Sequence, residues 1–315
     1  MIGASVAGAF CGAVATASSF LNLAAQTLPG ALAIAVVGVL LVLLPVSLTR
    51  WRPVTLDPLR QPRALGQLLL TAGRLYWRHA ATFVLIVAAS ALLIGAVDGL
   101  EWLALRGFGA SANVSFKDTG GATAFSTAAG IGRPIAGPVG SALVIAVFRN
   151  LERDQPARFR SACSAVLPRI WRLVAVQWLI TVVLILIALT IIGIPFAIRK
   201  WVDWKFAQQE ILFEDRSIRE AMRASTRLVR GQWWRAAGIV LVFSILGQIP
   251  GPILGFALLF TTVPTSTVNI LGSVVFALLT PYVGIGRTLL YLDLAARKVT
   301  EVVPATPTIT PAPAA

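Results

Sequence analysis

The residues best suited to chemistry lie in one short polar run that follows a long apolar stretch. Its charged and amide side chains are Arg199, Lys200, Asp203, Lys205, Gln208, Gln209, Glu210 and Glu214. At helical spacing, Asp203 can pair with Arg199 or Lys200. Glu210 can pair with Lys205 or with a group across the following turn. The run therefore offers acids, bases and amides within a few helical turns of one another.

Two interpretations of this run are open. Charge at bilayer depth costs at least about 2.5–3.5 kcal/mol per residue, so charged groups there normally face protein or water. In the first interpretation, the run lines a polar cavity or a site for lipid headgroups. In the second, it is an interfacial or partly buried helix whose charges pair with one another and reach towards the interface. We favour the second.

A second group of candidates is basic. Arg223, Arg227 and Arg230 follow the polar run at helical spacing, and each is suited to contact an anionic lipid headgroup. A basic residue near an anionic leaflet contributes about 1 kcal/mol of attraction. We expect these arginines, together with the polar run, to supply the lipid or cavity contacts of the chain.

Familiar catalytic and metal-binding patterns are missing from the sequence. The single histidine, His79, lies beside Arg78 and is better suited to a headgroup contact than to a base or ligand. Zinc sites with two or more histidines are excluded within one chain, and neither a G-x-S-x-G elbow nor a G-x-x-x-x-G-K-[ST] phosphate loop occurs. The two cysteines, Cys11 and Cys163, form no Cys-x-x-Cys motif. We expect no enzyme activity, no cofactor and no metal.

The composition indicates the elements that position these residues. The chain is 57% hydrophobic and only 13% charged, whereas soluble domains average about 45–50% apolar and about 25% charged. No charged side chain occurs in residues 1–49, 80–97, 173–198 or 236–286. Crossing a bilayer takes roughly 20 apolar residues. The backbone must be helical there, because N–H and C=O groups without partners are costly in lipid. The sequence predicts an all-α, polytopic transmembrane bundle of about six to eight spans.

The distribution of arginine predicts the topology. Eight candidate spans are 3–22, 31–48, 80–99, 134–149, 173–193, 196–213, 237–259 and 268–290. The segments 50–79, 149–172 and 214–235 are rich in arginine, and we place them on the cytoplasmic side. The loop 100–133 is nearly neutral and belongs outside. Eight spans leave both termini cytoplasmic. The net charge of +14 therefore reflects topology, and no nucleic-acid partner is expected.

The three arginine-rich segments resemble one another. Each carries arginines and an aromatic residue directly before a long apolar run, as in Trp77-Arg78, Trp171-Arg172 and Trp234-Arg235. Tryptophan favours the headgroup zone of a membrane. The pattern suggests a unit of one amphipathic interfacial helix and a two-span hairpin, repeated three times. The alternative is three separate anchors that look alike because every cytoplasmic boundary needs arginine and tryptophan.

Three regions follow from these patterns. Residues 1–62 hold extra N-terminal spans and a basic loop, and 1–22 can be a span or a cleaved signal. Residues 63–298 form the membrane domain. Residues 299–315 are rich in proline and threonine, which cannot build a core, so we predict a disordered tail.

Five blocks between residues 63 and 298 form a recognisable pattern: LGQLL (65–69), RLYWR (74–78), FAQQEILFED (206–215), AMRASTRLVRGQWWR (221–235) and LLYLDLAAR (289–297). In these blocks the chain resembles the glycerophosphoryl diester phosphodiesterase membrane-domain family. In that family the phosphodiesterase chemistry belongs to a separate soluble domain, similar to a TIM barrel and dependent on two histidines. This chain has one histidine and no alternation of strands and helices. The resemblance therefore implies a membrane module without catalytic residues.

The sequence as a whole favours a non-catalytic module of a bacterial-type cytoplasmic membrane. Its expected partners are anionic lipid headgroups and, beyond them, a membrane protein. The alternative is a transporter or permease component, which requires a water-accessible cavity lined by the polar run 199–214.

Overall fold

The helices of this chain are described by a computed structural model over residues 58–107, 137–189, 193–248 and 265–302. Residues 30, 36, 40, 43, 44, 46–52, 54 and 55 are also described. All regular secondary structure in these ranges is helical, in agreement with the predicted all-α class. The expectations for the first span, most of the outer loop and most of the tail fall outside the described residues.

The helices are labelled in chain order. They are α1 (Leu65–Arg78), α2 (Ala80–Gly107), α3 (137–152), α4 (Phe159–Val166), α5 (Ile170–Ala188), α6 (Gly193–Asp203), α7 (Ala207–Glu214), α8 (Ile218–Val229), α9 (Trp233–Gln248) and α10 (Thr265–Val302). A short 3₁₀ turn, Leu167–Arg169, connects α4 to α5.

An amphipathic helix followed by a longer apolar helix occurs three times in the described chain, as α1–α2, α4–α5 and α8–α9. The three junctions differ. Between α1 and α2 the chain bends by 86° at His79. The 3₁₀ turn keeps α4 and α5 nearly continuous. Between α8 and α9 the helix breaks at Gly231, whose φ of 87° favours glycine because it has no Cβ.

One described helix is long and apolar enough to cross a bilayer. It is the continuous run Phe159–Ala188, of 30 residues, and 17% of its most apolar window is buried inside the protein. The bent pair α1–α2 meets the same criterion if it is counted as one span. The larger number of crossings remains a prediction.

Helix α3 lies at the centre of the bundle. Every residue from 142 to 148 is buried, and Ala142, Ala146, Val147 and Phe148 are fully inaccessible. A helix that is apolar and buried on all sides can only lie inside the fold. Small residues allow its neighbours to approach closely, since a Cβ on Gly284 of α10 would lie 3.2 Å from Val144.

The long helix α10 holds the two ends of the described chain together. It packs against α1, α2, α8 and α9. Gly286 permits the contact with α9, because a Cβ there would lie only 2.0 Å from the ring of Phe243. Phe243, Ile285 and Leu289 are fully buried at this contact. The C-terminal half of α10 is therefore part of the main core.

Helix α5 has the opposite character. Its large apolar side chains are exposed along one face, among them Leu179, Val182, Ile185 and Leu186. Soluble monomers seldom expose a contiguous apolar patch beyond a few hundred Å². The exposed face of α5 needs an apolar environment outside the described part of the chain.

Candidate functional site

The polar run that the sequence singled out is not one continuous helix. The predicted span 196–213 is divided into α6 and α7 by a turn at residues 204–206. Ser225 of α8 stabilises this turn from the side. Its hydroxyl donates to the carbonyl oxygen of Asp203 (2.6 Å) and accepts from the backbone N–H of Phe206 (3.2 Å). The reason for the break is thus a long-range contact that helical periodicity does not reveal.

Several charges in this run are paired, as the favoured interpretation requires. The Nζ of Lys200 lies 3.7 Å from Oδ2 of the buried Asp203, so the local pairing falls on Lys200 and not on Arg199, which is exposed. Oε2 of the buried Glu210 lies 3.1 Å from Nε of Arg216, across the turn that follows α7. Of the two partners considered for Glu210, the structure selects the one across the turn.

The remaining members of the run lie in three different surroundings. Lys205 lies over the ring of Trp201, with 4.6 Å between its Nζ and the ring centroid. Glu214 is half-exposed and pairs with Arg60 at 3.5 Å. Gln209 is buried. The polar run therefore does not converge on one point, and its groups are distributed between the interior and the surface.

Helix α8 carries the basic candidates on one face. Arg223, Arg227 and Arg230 are exposed, whereas Ala221, Ala224, Ser225, Leu228 and Val229 are buried. The helix begins with a capping box, in which the carboxylate of Glu220 accepts from both the backbone N–H and the hydroxyl of Ser217. A buried apolar face opposite exposed arginines is typical of a helix that packs on the core and presents its charged face outwards.

A buried carboxylate that the sequence did not mark as a site organises the same region. Asp293 of α10 has no exposed surface. It accepts hydrogen bonds from the backbone N–H of Arg63 (2.6 Å), from Arg235 (3.2 and 3.3 Å) and from Arg297 (3.0 Å). We call Arg63, Arg235, Asp293 and Arg297 the Asp293 cluster. Its signal in the sequence was a lone acid within an otherwise apolar stretch of α10.

The Asp293 cluster connects the start of α1, the start of α9 and the end of α10. The guanidinium of Arg63 is itself fully buried and donates to the carbonyl oxygens of Pro58 and Leu59. Burial lowers the pKa of Arg63 from its ordinary value, and the Asp293 carboxylate acts in the opposite direction. Arginine stays charged at any physiological pH, so the cluster holds three cations around one anion.

A second acid, Asp215, lies at the surface between α7 and α8. It accepts hydrogen bonds from Arg169 (2.9 and 3.1 Å) and from Arg172 (3.0 Å). The hydrogen bond from Arg169 is the main reason that the pKa of Asp215 lies below its ordinary value. Its side chain is 53% exposed. Asp215 ties the second arginine-rich segment to the third.

Two surface cavities border these clusters. A cavity of about 410 Å³ is lined by Gly231, Gln232, Trp233, Trp234, Arg235 and Arg297. A second, of about 570 Å³, is lined by Arg172, Asp215, Ser217, Ile218, Arg219 and Glu220. The first has two arginines and no acid in its lining, whereas the second has two arginines and two acids. In the described ranges, no group of three or more histidine, cysteine, aspartate or glutamate side chains is placed to hold a metal ion.

The tryptophans of the three similar segments share one property. Trp77, Trp171 and Trp234 are exposed to 78%, 82% and 84%, respectively. Each is followed directly by an arginine. By contrast, the aromatic residues of the core, such as Phe83, Phe148 and Phe206, are buried completely or nearly so. These three tryptophans are therefore not needed for packing within the described chain.

Comparison with protein-family models, with curated proteins and with solved structures finds no match to this chain.

Proposed function

We propose that this chain is a multi-pass helical membrane protein without catalytic activity, whose cytoplasmic face engages anionic lipid headgroups. The observation that carries the proposal is the exposure of Trp77, Trp171 and Trp234, each beside an arginine. Exposing three indoles to water is unfavourable, since moving a large apolar side chain out of water lowers its free energy by about 1.5–3 kcal/mol. The headgroup zone accepts both the ring and its N–H.

The apolar surface supports the same proposal. The exposed face of α5 and the low burial of the run Phe159–Ala188 differ from a soluble core helix, which would be mostly buried. Lipid chains would cover this face and keep its apolar side chains out of water. We propose a bacterial-type cytoplasmic membrane, with the arginine-rich segments and both termini on the cytoplasmic side.

The similarity of residues 63–298 to the glycerophosphoryl diester phosphodiesterase membrane-domain family belongs to the same proposal. In that interpretation the chain is the membrane module alone. Several of its motif residues have structural partners here: Ser225 stabilises the turn between α6 and α7, and Asp293 accepts from three elements. Such contacts fit a module in which these motif residues serve internal packing.

The transporter alternative is less favoured by the geometry. It requires Lys205, Gln208, Gln209 and Glu210 to line one water-accessible cavity. Neither of the two cavities around Arg235 and Asp215 includes any of them in its lining. Glu210 pairs with Arg216, and the amide oxygen of Gln208 accepts from Ser141 of α3 at 2.8 Å. Although Nε2 of Gln208 and Oε1 of Gln209 are buried without a hydrogen-bond partner among the described residues, the ion pair of Glu210 supports a module more than a permeation route.

Lipid selectivity tests the proposal directly. The protein is reconstituted in vesicles, and electron paramagnetic resonance measures the relative association of spin-labelled phosphatidylglycerol and phosphatidylcholine with it. Changing Arg223, Arg227 and Arg230 together to glutamine should lower the preference for phosphatidylglycerol several-fold, since each basic residue contributes about 1 kcal/mol near an anionic leaflet. The matched lysine variant keeps the charge and should keep the preference.

An unchanged preference in the glutamine variant would remove the lipid role from α8.

The membrane topology is tested separately by single-cysteine labels at residues 115 and 160, in a background without Cys11 and Cys163. The two labels should react from opposite sides of the membrane. Labelling from the same side would refute the proposed arrangement of spans.

A further inference from the structure

We propose that the cavity at the start of α9 is a specific binding site for the phosphate group of an anionic lipid. This inference rests on the proposed function, because it locates one lipid at one place on the cytoplasmic face. The lining consists of residues 231–235 and Arg297, which belong to the turn before α9, its first turn and the end of α10.

The charge of the cavity favours an anion. Arg235 and Arg297 both line it, and both share a single carboxylate, Asp293, at 3.2 and 3.0 Å. Their side chains remain about one-third exposed, at 31% and 30%. Lys298 adds charge at the rim, because its Nζ lies 3.8 Å from the position that a Cβ on Gly231 would occupy. A planar guanidinium can hold the carboxylate on one side and offer further N–H groups to a phosphate on another.

Trp233, which lines the cavity, carries a donor that the described residues do not use. Its indole N–H is not accessible to water and has no hydrogen-bond acceptor among the described residues. A buried donor without an acceptor costs about 1–3 kcal/mol. In the proposed complex the indole turns so that its N–H meets a phosphate oxygen, which also supplies charge for the two guanidinium groups.

The position and size of the cavity indicate a lipid in particular. Trp234 lines the cavity and is 84% exposed, and the apolar helix α9 begins at the same point. Under the proposed function, this places the cavity at the depth of the headgroups. A volume of about 410 Å³ accommodates a phosphoglycerol headgroup, since small-molecule sites range over about 300–1,000 Å³.

Native mass spectrometry of the full chain in detergent tests the site by counting retained lipids during a titration with phosphatidylglycerol. We expect one molecule to bind ahead of the rest. Arg297→Gln should weaken it about tenfold, as the loss of a charge-assisted hydrogen bond predicts. Arg297→Lys should recover most of the affinity. Arg160→Gln, which removes the same charge from an exposed position on helix α4, should change the affinity less than threefold.

Trp233→Phe separates binding from folding. It removes the N–H and keeps the bulk of the ring. Lipid affinity should fall several-fold, while the thermal stability of the lipid-free protein stays the same or rises because a costly unpaired donor is gone. A loss of lipid-free stability, with affinity unchanged, would show that the indole serves packing and would overturn this part of the site.

The outcomes distinguish the site from the general function. Equal weakening by Arg297→Gln and Arg160→Gln would overturn the specific site and leave the diffuse lipid-binding face intact. Competition by millimolar inorganic phosphate would overturn the lipid assignment in favour of a free anion. Equal binding of phosphatidylglycerol and phosphatidylcholine by the unaltered protein would overturn both the site and the proposed function.

Discussion

Replacing Asp293 by asparagine should destabilise the protein far more than the same replacement at Asp215. Both aspartates accept hydrogen bonds from two arginine side chains. They differ in burial, because Asp293 has no exposed surface and the Asp215 side chain is 53% exposed. Asp293 also accepts from the backbone N–H of Arg63 at the start of α1. The two variants therefore compare a buried carboxylate, which also accepts from a backbone N–H, with an exposed one.

The magnitude follows from what each change leaves behind. Asparagine at position 293 keeps one acceptor but directs an amide NH₂ towards a guanidinium group. Removing one partner of a buried ion pair costs about 3–5 kcal/mol. Since Arg235 and Arg297 remain about 30% exposed, water can partly replace the carboxylate, and we expect about 3 kcal/mol. At Asp215 the expected loss is about 0–1 kcal/mol, as for other exposed pairs.

The free energy of unfolding can be measured in mixed micelles by titrating with a denaturing detergent and following helix content by circular dichroism. A double variant that combines Asp293→Asn with Arg297→Gln should be less destabilised than the sum of the two single variants, because each already breaks the same pair. If Asp215→Asn proves as destabilising as Asp293→Asn, burial does not control the strength of these pairs and our reasoning is wrong.

Three further predictions address packing and pH. Ser225→Ala should lower the free energy of unfolding by about 1–3 kcal/mol, because it leaves the buried N–H of Phe206 and the carbonyl of Asp203 without their shared partner. In the same unfolding assay, Ser164→Ala, at an exposed hydroxyl, should have little effect. Gly286→Ala should lower the stability of the protein, because its Cβ would overlap the fully buried ring of Phe243. The control Gly238→Ala, which has open space around it, should be neutral or stabilising by up to about 1 kcal/mol. Equal effects of the two variants would exclude a close contact between α9 and α10. Because the pKa of Asp215 is lowered in the folded state, its contribution to the free energy of unfolding is complete above the ordinary aspartate value of about 3.9 and is lost as the pH falls through the lower folded-state pKa. Asp215→Asn should therefore be less stable than the parent at pH 7 by that contribution, and the difference between variant and parent should vanish in strong acid.

The sequence predicted the local features of this fold well. Periodicity and charge marked α1 and α8 as amphipathic helices, and the described elements α2, α3, α5 and α10 overlap the predicted spans. The pairing of Lys200 with Asp203 was within reach because it needs only helical spacing. Amphipathic helices and local ion pairs can be predicted from sequence because residues three or four positions apart lie on one helix face and share one environment.

Features that depend on distant parts of the chain could not be predicted. The contact between Asp293 and Arg63 joins residues 230 positions apart, and no local pattern indicates which arginine an isolated acid will meet. The break within 196–213 depends on Ser225, from a later helix. The 86° bend at His79 occurs without proline or glycine. At residues 203–206 a tertiary contact thus overrides the local preference for a continuous helix.

The three similar segments differ in the interior and agree at the surface. Arg235 joins the buried Asp293 cluster, Arg172 joins an exposed pair with Asp215, and Arg78 is exposed. Their junctions also differ, as a break, a 3₁₀ turn and a sharp bend. Yet the tryptophan before each arginine is exposed to about the same extent, 78–84%. If internal packing required these indoles, they would be buried in at least one of three different junctions. A requirement common to all three comes from outside the described bundle, and the membrane surface that we propose would supply it if it met every junction at one depth.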